Sequence, residues 1–159
     1  GLRFRPLFEV QMRAPVRAGH PLAGTRDLRD LATASWLAMT VPGSSEDIVS
    51  LSFAKRGLAA PVPTVHCGSY SVSLDILASS DLVSVLPPPL LEAWIGSGRL
   101  SEVVLDQPLL PLVVGSYTRA DTPPTPLART AMQAIAVIAR NRNETGSLRG
   151  TKPLSLRSR

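Results

Sequence analysis

Gly68-Ser69-Tyr70-Ser71 combines backbone donors, two hydroxyls and one aromatic ring in four residues. It follows a short apolar run and precedes an apolar helical pattern. That places it where a strand ends and a helix begins. Free N–H groups at a helix N-terminus, reinforced by the helix dipole, suit an anion such as a carboxylate. Gly68 lets a ligand approach the backbone, and Tyr70 offers a ring for stacking. Capping of the helix by Ser69 or Ser71 is the alternative use of the same hydroxyls. Thr40, Pro42 and Gly43 follow a strand-like run in the same manner and form a second candidate lip, or else a plain capped turn. Val16, within the stretch Pro15 to Ala18, would border a ligand through its carbonyl.

Other reactive side chains argue for structure rather than catalysis. His20 stands alone before Pro21, as a turn residue. His66 and Cys67 are adjacent on a strand, so their side chains point to opposite faces and cannot pair as base and nucleophile. Cys67 reads as a small buried apolar residue. No Ser/His/Asp set, no phosphate loop with Lys and no paired metal-ligand spacing occurs. These residues do not describe an enzyme, and they call for no cofactor and no metal.

The elements that position the candidate site follow from periodicity. Residues 64–67 form a strand, 71–78 a helix and 82–86 a second strand before Pro87-Pro88-Pro89. Strand, helix and strand in this order make a crossover in a parallel sheet. Such sheets collect ligands at the carboxyl ends of their strands. Val72, Ile76 and Ser79, with Leu74 and Leu77 alongside, mark the inward face of the helix. Residues 7–17 alternate Phe8, Val10, Met12 against Glu9, Gln11, Arg13, as a strand with one wet face does.

Residues 25–31 form a short helix capped by Thr25, and 36–39 a buried strand. Ser44 and Asp47 have capping-box spacing before a helix over 45–56, with Ile48, Leu51 and Phe53 inward and Gly57 just past its end. Residues 90–95 are a short helix; 100–105 and 109–114 are strands, the second running on to Arg119. Thr125 caps a last helix with Pro126 in its first turn. Its apolar residues are Leu127, Ala131, Ala134, Ile135 and Ile138. From about Asn141 onward no period remains.

The 159 residues are 44% hydrophobic and 4% aromatic, so Leu, Val and Ala build the core. One cysteine excludes a disulfide framework within the chain and suits a reducing cytoplasm. The net charge of +5 suggests nucleic acid until it is located. Of 17 basic and 12 acidic groups, six and one lie from Arg140 on, leaving eleven of each before it. The globular part therefore has no footprint for a polyanion, and the basic end reads as a solvated, disordered tail. No apolar run approaches the ~20 residues of a membrane span, and no secretory leader is seen. The chain opens at Gly1 and runs straight into strand-like sequence, as a piece lacking its amino-terminal portion would.

The order of these features resembles the LysR-type transcriptional regulators. The resemblance is carried by Gly19-His20-Pro21-Leu22-Ala23 before Leu28-Arg29-Asp30-Leu31, by Phe53 with Gly57-Leu58, and by Leu77-Ala78-Ser79-Ser80-Asp81-Leu82-Val83-Ser84-Val85-Leu86-Pro87. Gly98-Arg99-Leu100 and Arg119 with Thr125-Pro126-Leu127-Ala128-Arg129 complete it. It implies an α/β fold like the type II periplasmic binding proteins: two α/β subdomains joined by crossover strands, with a small effector between them. Residues 1–19 would close an incomplete first subdomain and cross outward. Residues 20–112 would be the second regulatory subdomain. Residues 113–142 would return with the last helix, and 143–159 would be the disordered basic tail.

The family's winged helix-turn-helix is absent from these residues, so DNA would be a partner only through that missing part. The helices over 45–56 and 125–140 are the candidate faces for a homodimer or homotetramer. A solute-binding protein of a transport system is the rival reading of the same fold, and upstream sequence separates the two.

Overall fold

The structure is a computed structural model that describes residues 1–41, 43–44, 47–144 and 151–152. In chain order the strands are β1 (Leu2–Gln11), β2 (Ala14–Arg17), β3 (Ser35–Ala38), β4 (Val65–His66), β5 (Leu82–Val83), β6 (Leu100–Val103), β7 (Pro111–Arg119) and β8 (Thr151–Lys152). The α-helices are α1 (Ile48–Lys55), α2 (Tyr70–Ala78), α3 (Glu92–Gly96) and α4 (Pro126–Glu144). Two compact units result. Gly1–Val10 with Leu112–Arg159 make one, and Gln11–Pro111 make the other.

The Gln11–Pro111 unit is built on a parallel sheet ordered β4-β3-β5. Trp36 and Leu37 of β3 are both buried, on opposite faces of a strand covered on both sides. Trp36 meets Phe53 of α1 edge-on, with ring centroids 6.1 Å apart, and its indole N–H donates to Leu31 O at 2.9 Å. Leu37 joins Leu74 and Leu77 of α2 with Leu82, Leu86, Leu91 and Leu100 in one leucine cluster. Arg99 lies over the Trp94 ring, 4.1 Å from its centroid. The sheet's element order, β4 then α2 then β5, is the crossover expected, but it steps over β3 rather than joining neighbours.

Several local expectations are corrected. The strand over 7–17 is two strands. The ladder breaks at Met12, Arg13 exchanges two backbone hydrogen bonds with Leu86 at 3.0 Å each, and β2 pairs antiparallel with β6. Alternating hydrophobicity continues through this change of partner, so periodicity does not reveal it. The helix over 25–31 is a 3-10 turn, Leu28–Leu31, capped by Asp27 through Arg29 N–H rather than by Thr25. The strand over 82–86 shortens to Leu82–Val83 because Leu86 turns to Arg13.

At α1 the cap is Asp47 itself. Its carboxylate accepts from Ser50 N–H at 3.0 Å and from Gly43 N–H at 2.9 Å. Ser44 is not the cap; its Oγ is buried without a partner among the described residues. Leu51, expected inward, is exposed. Gly57 closes the helix as expected. It adopts φ +67°, its N–H bonds Ala54 O at 3.0 Å, and Leu58 N–H bonds Phe53 O at 3.0 Å, a paired C-terminal closure.

In α2 Leu74 and Leu77 are buried as expected and Ile76 packs against the leucine cluster, but Ser73 is buried as well, and Val72 and Ser79 are exposed. Val72 and Ile76 are four residues apart and so share a stripe, as do Ser73 and Leu77; contact with the leucine cluster selects Ser73 over Val72.

In the other unit the sheet order is β7-β1-β8. Gly115 of β7 allows its close approach to β1: a Cβ there would fall 2.5 Å from Arg5 O and from the Phe4 ring. Phe4 and Tyr117 stack obliquely, with centroids 4.7 Å apart. Thr125 caps α4 as expected, accepting Ala128 N–H at 3.2 Å, and Pro126 opens it. The buried positions of α4 are Ala136 and Ala139, whereas Leu127, Ile135 and Ile138 are exposed, the reverse of the expected face. Small side chains admit the helix backbone closest to its support. The helix also runs on to Glu144, and Thr151–Lys152 pair with Val10 and Glu9 of β1, so the tail is not irregular throughout. Residues 145–150 and 153–159 of the expected basic tail lie outside the described residues.

Candidate functional site

The carboxyl edge of the parallel sheet sets side by side the strand ends that lead into the two candidate lips. Ala38 pairs with His66 in parallel register, and Cys67 N–H donates to Ala38 O at 3.0 Å. The strand ends of β3 and β4 are therefore locked side by side. From them emerge the segments containing Thr40 and Gly68-Ser69.

Ser69 occupies the N-cap of α2 with extended backbone (φ −112°, ψ 120°), but its side chain caps nothing. Its Oγ instead lies 3.2 Å from Ser71 Oγ. The first-turn N–H groups of a helix have no intrahelical acceptor, and here no side-chain oxygen takes that role. Gly68, Ser69, Tyr70 and Ser71 are all exposed. An added Cβ on Gly68 would meet nothing within 4 Å, so there is open space over the backbone at this point. The arrangement is an uncapped helix N-terminus with two exposed hydroxyls paired to each other at a strand end, suited to a small anion.

The remaining candidates are less equal. Thr40 is half-buried beside β3. Gly43 is exposed, but its N–H is already bound to Asp47 Oδ2, so it has no donor to give. Pro42 lies outside the described residues. Val16 is 0% exposed in the β2–β6 pair, opposite Ser101, so its side chain belongs to the core. His20 is a turn residue as expected: Nδ1 accepts Leu22 N–H at 3.0 Å, and Nε2 lies 3.2 Å from Asp81 O.

Two electrostatic shifts stand out. Burial alone would raise the Asp47 carboxyl, but the hydrogen bonds from Ser50 and Gly43 outweigh it and hold the group below its ordinary value. The Ser73 hydroxyl, and then a backbone hydrogen bond at Ser69, hold the Cys67 thiol below its ordinary range. The Cys67–Ser73 relationship escaped sequence reasoning because Ser73 lay off the expected inward face. The spacing from Ser69, one helical turn on, is the signal that could have found it. Among the described residues no cluster of three His, Cys, Asp or Glu is placed to hold a metal, and no helix is long and apolar enough to cross a membrane.

The parallel-sheet unit with its helix N-terminus at the carboxyl edge is the architecture of a ligand-binding domain. The family model of the LysR substrate binding domain matches residues 1–137, and the chain belongs to that family. The HTH-type transcriptional regulator GalR of Pseudomonas putida is 28% identical over 131 residues, covering 82% of this chain and 33% of that protein. The chain thus spans about a third of this relative's length.

Among solved structures, the effector binding domain of QuiR in complex with shikimate matches with TM-score 0.70 at 16% identity, over 88% of this chain and 66% of that one. The regulatory domain of CcmR from Synechocystis PCC6803 in complex with 2-PG matches with TM-score 0.70 at 18% identity, over 88% and 68%. At these identities the likeness establishes the fold, which is the type II periplasmic-binding-protein-like α/β fold of LysR effector-binding domains.

Proposed function

We propose that these residues are the effector-sensing and oligomerisation region of a LysR-type transcriptional regulator acting in the cytoplasm. They bind a small anionic metabolite, a carboxylate, and thereby modulate DNA binding by a helix-turn-helix domain that lies outside them. Family membership and the GalR likeness favour this over a transport solute-binding protein. The observation that carries the site is the bond from Cys67 N–H to Ala38 O, which sets the end of β3 beside the unengaged N-terminus of α2.

Gly68, Ser69, Tyr70 and Ser71 are the principal contacts. Thr40 borders them, and Val16 takes part only through its backbone. Residues 20–112 are the second regulatory subdomain in this proposal, supported by the compactness of Gln11–Pro111. Binding acts by differential affinity for two arrangements of the assembled protein. A homodimer or homotetramer is the assembly, and the exposed apolar residues of α1 and α4 are its candidate faces.

The test is a thermal-shift screen with shikimate and other small carboxylates, repeated on Ser69→Ala and Tyr70→Ala. The proposal expects a stabilising ligand whose effect both substitutions weaken. Stabilisation that neither substitution touches would place the site elsewhere.

A further inference from the structure

Residues 104–110, between β6 and β7, are irregular, so no strand ladder satisfies their backbone. Side chains from distant elements do so instead. Ser52 of α1 is 0% exposed, and its Oγ accepts Leu110 N–H at 3.0 Å. Arg56, the C-cap of α1, donates through Nη2 to Gln107 O at 2.9 Å and to Pro108 O at 2.8 Å. Its Nη1 returns to Ser52 O at 2.9 Å, which fixes the guanidinium to its own helix. Gln11 Nε2 donates to Leu109 O at 2.7 Å. Gln11 and Pro111 begin and end this unit, so the grip falls where the chain enters and leaves it. The opposite end of α1 holds a different turn. There Asp47 accepts the N–H groups of Ser50 and Gly43, and Gly43 belongs to a candidate lip. Ile48 and Phe53 bury the helix between its two ends. A short helix in a close-packed core moves as one piece and transmits strain along its length.

We infer that α1 is a relay between the Gly43 turn and the 107–110 segment, with Ser52 and Arg56 as the positioning residues at its far end. Loosening one end loosens the other, because coupling between two sites is reciprocal. The coupling itself does not depend on what binds at the strand ends. Its regulatory use rests on the effector-sensing reading proposed above: a ligand on the lip containing Thr40 and Gly43 is felt where the chain leaves the unit.

The experiment is native-state hydrogen exchange, resolved by residue, on the full chain with no ligand added, so it stands apart from the search for an effector. Asp47→Asn should speed exchange of the Leu110 amide several-fold more than that of the β3 amides, which report unfolding of the whole unit. Arg56→Lys keeps the charge but loses the planar fork, and should speed the Gly43 and Ser50 amides in the same way. In the double variant the effect of Asp47→Asn on Leu110 should shrink, since the link is already cut. The Arg56→Lys arm decides the matter even if Asp47→Asn folds poorly. A Leu110 amide that rises no more than those of β3, or an Arg56→Lys effect confined to 107–110, would overturn the proposal.

Discussion

Asp47 holds Gly43: its Oδ2 accepts Gly43 N–H at 2.9 Å while Oδ1 accepts Ser50 N–H at 3.0 Å. One carboxylate thus caps α1 and ties down the turn before it. Replacing an N-cap of this kind by Ala typically removes about 0.5–2 kcal/mol. Asp47→Ala should therefore lower stability in denaturant melts by that order, and Asp47→Asn by less. The carboxyl is held below its ordinary value by the hydrogen bonds it accepts from Ser50 and Gly43. A depressed carboxyl contributes stability that is complete above the unfolded value and is lost as the pH falls through the folded one. Urea melts between pH 6 and roughly pH 3 should show the natural sequence losing its advantage over Asp47→Ala only in the acid range. A gap that is constant with pH would contradict this origin.

Leu77 is fully buried in the leucine cluster that joins α2 to β3. Leu77→Ala leaves a cavity, with a loss of about 2–5 kcal/mol expected. Val72, on the same helix, is exposed, and Val72→Ala should change stability by less than about 0.5 kcal/mol. Chemical denaturation of the pair measures which face is inward; equal losses would point to the other face.

Gly115 has no room for a side chain against Arg5 and Phe4. Gly115→Ala should force β1 and β7 apart, at a cost of roughly 1–3 kcal/mol. Hydrogen exchange should show the loss in the Gly1–Val10 and Leu112–Arg159 unit, with amides of β3 and α2 unaffected. Uniform loss across the chain would argue against a local clash.

A carboxylate that binds at the N-terminus of α2 at one hundred times its dissociation constant should stabilise the chain by about 2.7 kcal/mol. Added salt should weaken the binding, since the site is exposed and its attraction is partly electrostatic. A thermal shift insensitive to salt would favour a neutral ligand.

Much of the α/β architecture is legible along the chain. The buried strand at Trp36 and Leu37, the closure of α1 at Gly57, and the start of α4 at Thr125-Pro126 all depend on residues close in sequence. Backbone preference and local capping decide such features before any distant contact forms. The candidate site was legible in part: a strand end, a small polar turn and a helix start could be read at Gly68 to Ser71. Its quality was not. Only the fold shows that Ser69 caps nothing, that Gly43 N–H is spent on Asp47, and that Val16 is inside the core.

What the sequence by itself determined was the order and type of the main elements and the neutrality of the charge before Arg140. What the tertiary structure alone decided was which neighbour each element meets. Arg13 turns the chain from β1 toward Leu86, a residue 73 positions away. Packing against the leucine cluster buries Ser73 of α2 and leaves Val72 outside, and Ala136 and Ala139 become the buried positions of α4. Burial depends on surfaces contributed by distant parts of the chain, so short apolar helices carry several possible faces until those surfaces assemble.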